Sequence, residues 1–126
     1  MSGFAFDANI VIDALGGHAG AQYEIRRALS SAEGAWVSRM VWVEVLSKGS
    51  PEVVGTARGF LAGLGLDEID EEIALRAAAL RREHPRLKSP DAIILATAQL
   101  RGRTLVTRNT KDFAAGTPGI RIPYTL

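Results

Sequence analysis

The chain has 126 residues, with 15 Lys and Arg against 14 Asp and Glu, a formal net charge of +1 and no cysteine. That length suits a single compact domain over residues 1–126, and 47% hydrophobic with 23% charged residues describes a globular chain rather than a disordered one. The missing cysteines exclude a disulfide scaffold, a thiolate zinc site and a cysteine nucleophile.

Phe4–Asp7 reads as a first strand. A helix begins near Asn9 and ends at Gly16-Gly17, and Tyr23–Ser31 forms a second, with Tyr23, Ile25, Ala28 and Leu29 as its core-facing positions. Ala35–Ser38 is a short strand, and Ser38 caps a helix over Arg39–Lys48. Pro51 opens a further helix that Gly63 and Gly65 stop, and Leu66–Ile69 is the third strand. Asp70 caps a helix over Glu71–Glu83, whose first acids lie on the positive end of the helix dipole. Ser89-Pro90-Asp91 starts another, with Ser89 as cap and Pro90 at the first helical position, running to about Arg101. Thr104–Thr107 is a fourth strand, Lys111–Ala115 a helical turn, and Ile120–Pro123 an edge strand, since Pro123 cannot donate to a ladder. Strands alternating with helices predict an α/β fold around a parallel sheet.

Ligands in such sheets bind at the carboxyl ends of the strands. Asp7 falls at one strand end, Asn109 and Asp112 follow another, and Asp91 lies in the first turn of a helix. Glu44 is unusual, because Val41-Trp42-Val43-Glu44-Val45-Leu46 surrounds a carboxylate with apolar residues, and an unpaired buried charge is costly. Each acid has a plainer reading: Asp7 as a helix cap, Asp91 as a dipole partner, Glu44 paired with Lys48, Asp112 and Asn109 shaping a turn. Taken together they form a set of hard oxygen donors suited to Mg²⁺ or Mn²⁺.

The modest net charge is the sum of two opposed parts. Residues 1–75 carry 5 Lys and Arg against 11 Asp and Glu, whereas residues 76–111 carry 9 against 2. This segregation predicts a cation-collecting site beside a rim that attracts phosphates, with Arg86, Lys88, Arg108 and Lys111 as candidate contacts to a polyanionic substrate. The plainer reading is that Arg81, Arg82, Arg86 and Lys88 solvate a helix end and a loop. No apolar run approaches the ~18 residues of a membrane span. The N-terminus, interrupted by Asp7 and Asp13, lacks a basic leader, so the bacterial cytosol is expected.

Four segments occur in order: Phe6-Asp7-Ala8-Asn9, Val43-Glu44-Val45-Leu46, Ser89-Pro90-Asp91-Ala92-Ile93-Ile94-Leu95-Ala96-Thr97-Ala98, and Leu105-Val106-Thr107-Arg108-Asn109-Thr110-Lys111-Asp112-Phe113. Together they resemble the successive motifs of PIN domains, most closely the VapC-type toxins of bacterial toxin–antitoxin pairs, over essentially the whole chain. The resemblance implies a three-layer α/β/α sandwich with a central parallel sheet of four to five strands. It implies a Mg²⁺- or Mn²⁺-dependent ribonuclease in which Asp7, Glu44 and Asp91 match the three nearly constant acids. The fourth acid varies in place, with Asp112 and its amide counterpart Asn109 as candidates. Thr107 matches a hydroxyl that supports the site, and Asn9 an orienting polar group. Implied partners are an RNA substrate, a VapB-like antitoxin and a second copy of the chain, with Trp36, Trp42 and the Val53–Leu66 stretch as candidate contact surfaces.

Other features carry less. His18 and His84 read as exposed loop residues without zinc spacing, and Asp13 and the Asp67–Glu72 run as solvated or capping charges. Gly63-Leu64-Gly65 is no dinucleotide fingerprint. A receiver-like signalling domain would want paired acids after the first strand and a Lys after the last, which this chain lacks. A housekeeping nuclease of RNA processing, or a PIN-like module that binds without catalysis, are the alternatives within the same fold.

Overall fold

A computed structural model describes residues 3–126. Five short strands form one sheet: β1 (Phe4–Phe6), β2 (Ala35–Ser38), β3 (Gly65–Asp67), β4 (Thr104–Val106) and β5 (Ile120–Arg121). Their order is β3-β2-β1-β4-β5, and every neighbouring pair is parallel. The register sets Phe6 opposite Val106 and Ser38 opposite Asp67. Six helices complete an α/β/α sandwich: α1 (Ala8–Leu15), α2 (Ala19–Leu29), α3 (Arg39–Leu46), α4 (Pro51–Ala62), α5 (Glu71–Glu83) and α6 (Ser89–Arg101). The expected parallel α/β architecture is therefore present.

The chain runs outward from β1 through β2 to β3, then returns to the other side of β1 as β4. The strand order thus reverses between β1 and β4, and a crevice opens outside their carboxyl ends, where ligands of open α/β sheets bind. Phe6, Ile10, Val11, Val37, Val41, Ile73, Leu105 and Val106 are almost fully buried and make the core that fixes this edge. Helix α6 lies against β2 and β4 and pairs with α5, which explains its continuous apolar sequence. Gly102 ends α6 in the left-handed conformation at φ 69°, where an L side chain would be strained.

Several local expectations need correction. Tyr23 and Leu29 are 58% and 48% exposed, not core; Ile25 and Ala28 carry the buried face of α2. That helix starts earlier, at Ala19, because the His18 Nδ1 accepts the Ala21 N–H at 3.1 Å and caps it. Ser89 is the first residue of α6, and Lys88 occupies the cap position without a side-chain bond. Residues 111–115 form turns closed by the Phe113 N–H on the Asn109 carbonyl at 3.2 Å, not a helix. β5 is an edge strand as expected, though it stops at Arg121.

Candidate active site

Asp7 emerges directly from β1 at the strand reversal. Its Oδ1 accepts the Ala8 N–H at 2.7 Å, capping α1, and its Oδ2 accepts the Thr107 hydroxyl at 2.8 Å from the end of β4. The Asn9 amide donates to Thr107 Oγ1 at 3.2 Å and, more distantly, to Asp7 Oδ2 at 3.5 Å. Both Asp7 and Thr107 are buried. The carboxylate is therefore held in orientation by groups from two adjacent strands. Burial raises its pKa above the usual carboxylate value, although Thr107, the Ala8 N–H and the Arg108 charge all oppose that rise.

Glu44 comes from α3 and Asp91 from the first turn of α6. The Glu44 carboxyl is pushed up to about 7, first by burial and then by the charges of Asp7 and Asp91. Asp91 is raised first by burial, then by Asp7 and Asp112, with Lys88 opposing. Neither Glu44 nor Asp91 forms an ion pair among the described residues, so the expected alternative of a Glu44–Lys48 pair is not present. Glu44 Oε1 is buried with no hydrogen-bond partner. An orphaned carboxylate oxygen on a residue that feels the charges of two other carboxylates is an arrangement that favours a cation.

Asp112 and Asn109 form a small self-contained turn. The Asn109 amide donates to Asp112 Oδ2 at 2.9 Å, and the Asp112 N–H donates to Asn109 Oδ1 at 3.2 Å. The Asn109 N–H donates to Thr107 Oγ1 at 3.0 Å. Asn109, Asp112 and Asp91 line a groove of about 1210 Å³ between the α5–α6 hairpin and the 109–119 loop. Arg86, Lys88 and Lys111 line it too, as do Arg76 and His84, over an apolar floor that includes Leu80, Leu95 and Phe113.

Arg108 behaves differently from the other expected RNA contacts. It turns away from the groove and grips Asp13 with Nε at 2.7 Å and Nη2 at 3.2 Å. Asp13, expected to be solvated, is half-buried and also accepts the Tyr124 hydroxyl at 2.8 Å. His18, expected in an exposed loop, is half-buried and stacks on Tyr124 with ring centroids 4.3 Å apart. Asp67 is likewise buried, held by both Nε and Nη2 of Arg103, whose guanidinium lies 3.7 Å from the Trp36 ring centroid. Arg101 reaches Asp70 at 2.6 Å. Three of the nine basic residues in 76–111 are thus spent on acids earlier in the chain, and no periodicity or composition signal marks pairings of such long sequence separation.

The fit to a divalent cation rests on donor chemistry. All the candidate ligands are oxygens, and among the described residues no cationic side chain neutralises Asp7, Glu44 or Asp91 at ion-pair distance and one Glu44 oxygen is orphaned. Yet among the described residues no three acidic or histidine side chains are grouped tightly enough to hold a metal ion as they stand. The acids share one electrostatic field but not one ligand shell, as mutually repelling carboxylates without a direct ion pair should, and a bound cation would require some of them to turn inward.

A model of the PIN domain family matches residues 4–116. A comparison with curated proteins gives no match. A solved toxin–antitoxin complex from Klebsiella pneumoniae contains a chain 40% identical to this one, with a TM-score of 0.84, covering 97% of this chain and 98% of that one. VapBC from Salmonella typhimurium, bound to DNA, aligns at 24% identity and a TM-score of 0.79 over 97% of each chain. VapBC2 from Rickettsia felis, bound to a promoter DNA fragment, aligns at 23% identity and 0.76, covering 93% of this chain and 94% of that one. At those last two identities the likeness is one of fold.

Proposed function

This chain belongs to the PIN domain family, and from that premise we propose that it is a Mg²⁺- or Mn²⁺-dependent ribonuclease serving as the toxin of a toxin–antitoxin pair. The observation that carries the proposal is the electrostatic coupling of Glu44 and Asp91 to Asp7 at the end of β1, with every pKa raised and no ion pair to any of the three among the described residues. Asp7, Glu44 and Asp91 would hold the metal, with Asp112 as the fourth acid. A bound divalent ion would supply an acidified water and stabilise charge developing on the phosphodiester.

The chain's own groups prepare that step. Thr107 and the Ala8 N–H fix the Asp7 carboxylate through opposite oxygens, so its orientation is set before anything binds. Asn9 supports Thr107, and Asn109 orients Asp112. Arg86, Lys88 and Lys111 along the groove give a polyanion a favourable approach that the acids alone would repel.

An antitoxin partner is supported by the toxin–antitoxin assembly of the 40% identical Klebsiella chain. A partner that inserts a cationic side chain among the three acids would satisfy the same charge deficit as a metal. A homodimer rests on the family resemblance, and a cytosolic location on the sequence expectation given above; among the described residues no helix is long and apolar enough to cross a membrane.

The test is cleavage of single RNAs by the purified chain in Mg²⁺, Mn²⁺ or EDTA, beside Glu44→Gln and Asp91→Asn. Cleavage in metal that disappears with EDTA and with either substitution is expected. Cleavage surviving EDTA or both substitutions would overturn the proposal.

A further inference from the structure

The turn that carries Asn109 and Asp112 is tied to the end of β4 by the Asn109 N–H on Thr107 Oγ1 at 3.0 Å, a single bond about which the turn can still swing. Its internal bonds join Asn109 to Asp112 and would survive if the turn swung as a unit. Phe113 anchors its far end in the core. At its near end it is fastened to α1 at two points one helical turn apart. The Arg108 N–H donates to Asn9 Oδ1 at 3.3 Å, and the Arg108 guanidinium makes a two-pronged contact with Asp13. Residues 9 and 13 are four apart on one helix, so they share a face and act as a rail. The C-terminal segment completes the arrangement, because Tyr124 donates to the same Asp13 oxygen that Arg108 Nε uses, and the Tyr124 ring is held by stacking on His18.

We propose that Asp13, Arg108 and Tyr124 are positioning residues: a clamp, closed by the C-terminal tail, that sets where the 109–112 turn presents Asp112 to the acid cluster. Two features separate this role from RNA contact. Arg108 spends the Nε–Nη2 edge of its guanidinium on Asp13, and it does not line the groove in which Arg86, Lys88 and Lys111 lie. Its fork geometry matters as much as its charge, since a lysine ammonium cannot reproduce a paired contact on one carboxylate.

The inference rests on the proposed nuclease reading for its catalytic consequence, but the clamp itself is measured without cleavage. Amide hydrogen exchange of the purified chain reads the turn directly. In Asp13→Asn, the Arg108 and Asn109 amides, which tie the turn to Asn9 and Thr107, are expected to exchange about tenfold faster than in the wild type, while the Asp112 amide, bonded within the turn, and the amides of β1 and β4 keep their protection. Tyr124→Phe, a milder change that keeps the stacked ring, is expected to give a smaller acceleration confined to the Arg108 and Asn109 amides. In RNA cleavage, both variants should need several-fold more Mn²⁺ for half-maximal rate, with KM for RNA at saturating Mn²⁺ unchanged, and Arg108→Lys should resemble Asp13→Asn. Unchanged exchange in the turn in both variants would overturn the clamp. So would retained Mn²⁺ dependence in Arg108→Lys together with a lowered KM for RNA in Asp13→Asn, the signature of a freed substrate-binding cation. A wild-type chain that neither binds Mn²⁺ nor cleaves RNA would sink the nuclease reading, while the exchange data would still decide the clamp.

Discussion

Asp13, Glu24 and Asp67 each end against an arginine, whereas Asp7, Glu44 and Asp91 form no ion pair among the described residues and act on one another only through their charges. The first three are held at 2.7 Å by Arg108, Arg121 and Arg103, which fasten distant parts of the chain together. The second three gather at the reversal between β1 and β4 with no ion pair among the described residues. Both groups cost free energy to withdraw from water, and only the first is compensated within the chain. The difference shows a fold that has arginines available for buried acids and withholds them at one place.

The largest expected effect comes from breaking the uncompensated group. Asp91→Asn should lower the rate of metal-dependent RNA cleavage about 10³-fold, equivalent to ~4 kcal/mol of transition-state stabilisation, in a single-turnover assay. The metal-free variant should melt no lower than the wild type, because the substitution relieves repulsion.

Breaking a compensated acid should do the reverse. Asp67→Asn removes the carboxylate from a buried ion pair and should cost about 3 kcal/mol in urea unfolding. Cleavage measured well below the melting transition should stay near the wild-type rate, since Asp67 lies at the far strand of the sheet from the reversal.

Opposite responses to pH should sharpen the comparison. Glu44 is pushed up to about 7 by burial and by Asp7 and Asp91, so the metal-free folded state binds its proton more tightly than the unfolded chain does. Stability should therefore fall as pH rises from the usual glutamate value of 4.5 to about 7. Differential scanning fluorimetry should show that fall, its loss in Glu44→Gln, and its reversal by Mn²⁺. Burial raises the Asp13 carboxyl, but the Arg108 and Tyr124 hydrogen bonds more than reverse this and leave it below the usual value. Its contribution is present above that value and is lost as pH falls through the depressed one, a slope of the other sign.

The smallest effect is expected at an exposed pair. Arg39 and Glu68 meet at 2.6 Å at the surface, and Glu68→Gln should leave both melting temperature and cleavage unchanged within error.

The alternation of strands and helices, the caps Asp7, Ser38 and Asp70, and the oddity of Glu44 in an apolar run were all legible because they depend on neighbours in sequence. The exposure of Tyr23 and Leu29 was not, since an amphipathic pattern gives a helix a buried face without fixing how far that face extends around it. The buried roles of Asp13 and Asp67 were hidden for a different reason. Their partners, Arg108 and Arg103, lie 95 and 36 positions away, and only the sheet topology brings them together. That topology also explains why the basic stretch, legible as a block of charge, is less available to a polyanion than its count suggests. The acids themselves could be found one at a time; their lack of an ion pair could be seen only once the arginines that pair with other acids had a place.

Calorimetric titration of the purified metal-free chain with Mn²⁺ tests the central claim most directly. The account predicts saturable binding near neutral pH that Asp91→Asn weakens at least about tenfold, while Glu68→Gln leaves it intact. Absence of binding, or equal binding by wild type and Asp91→Asn, would contradict it.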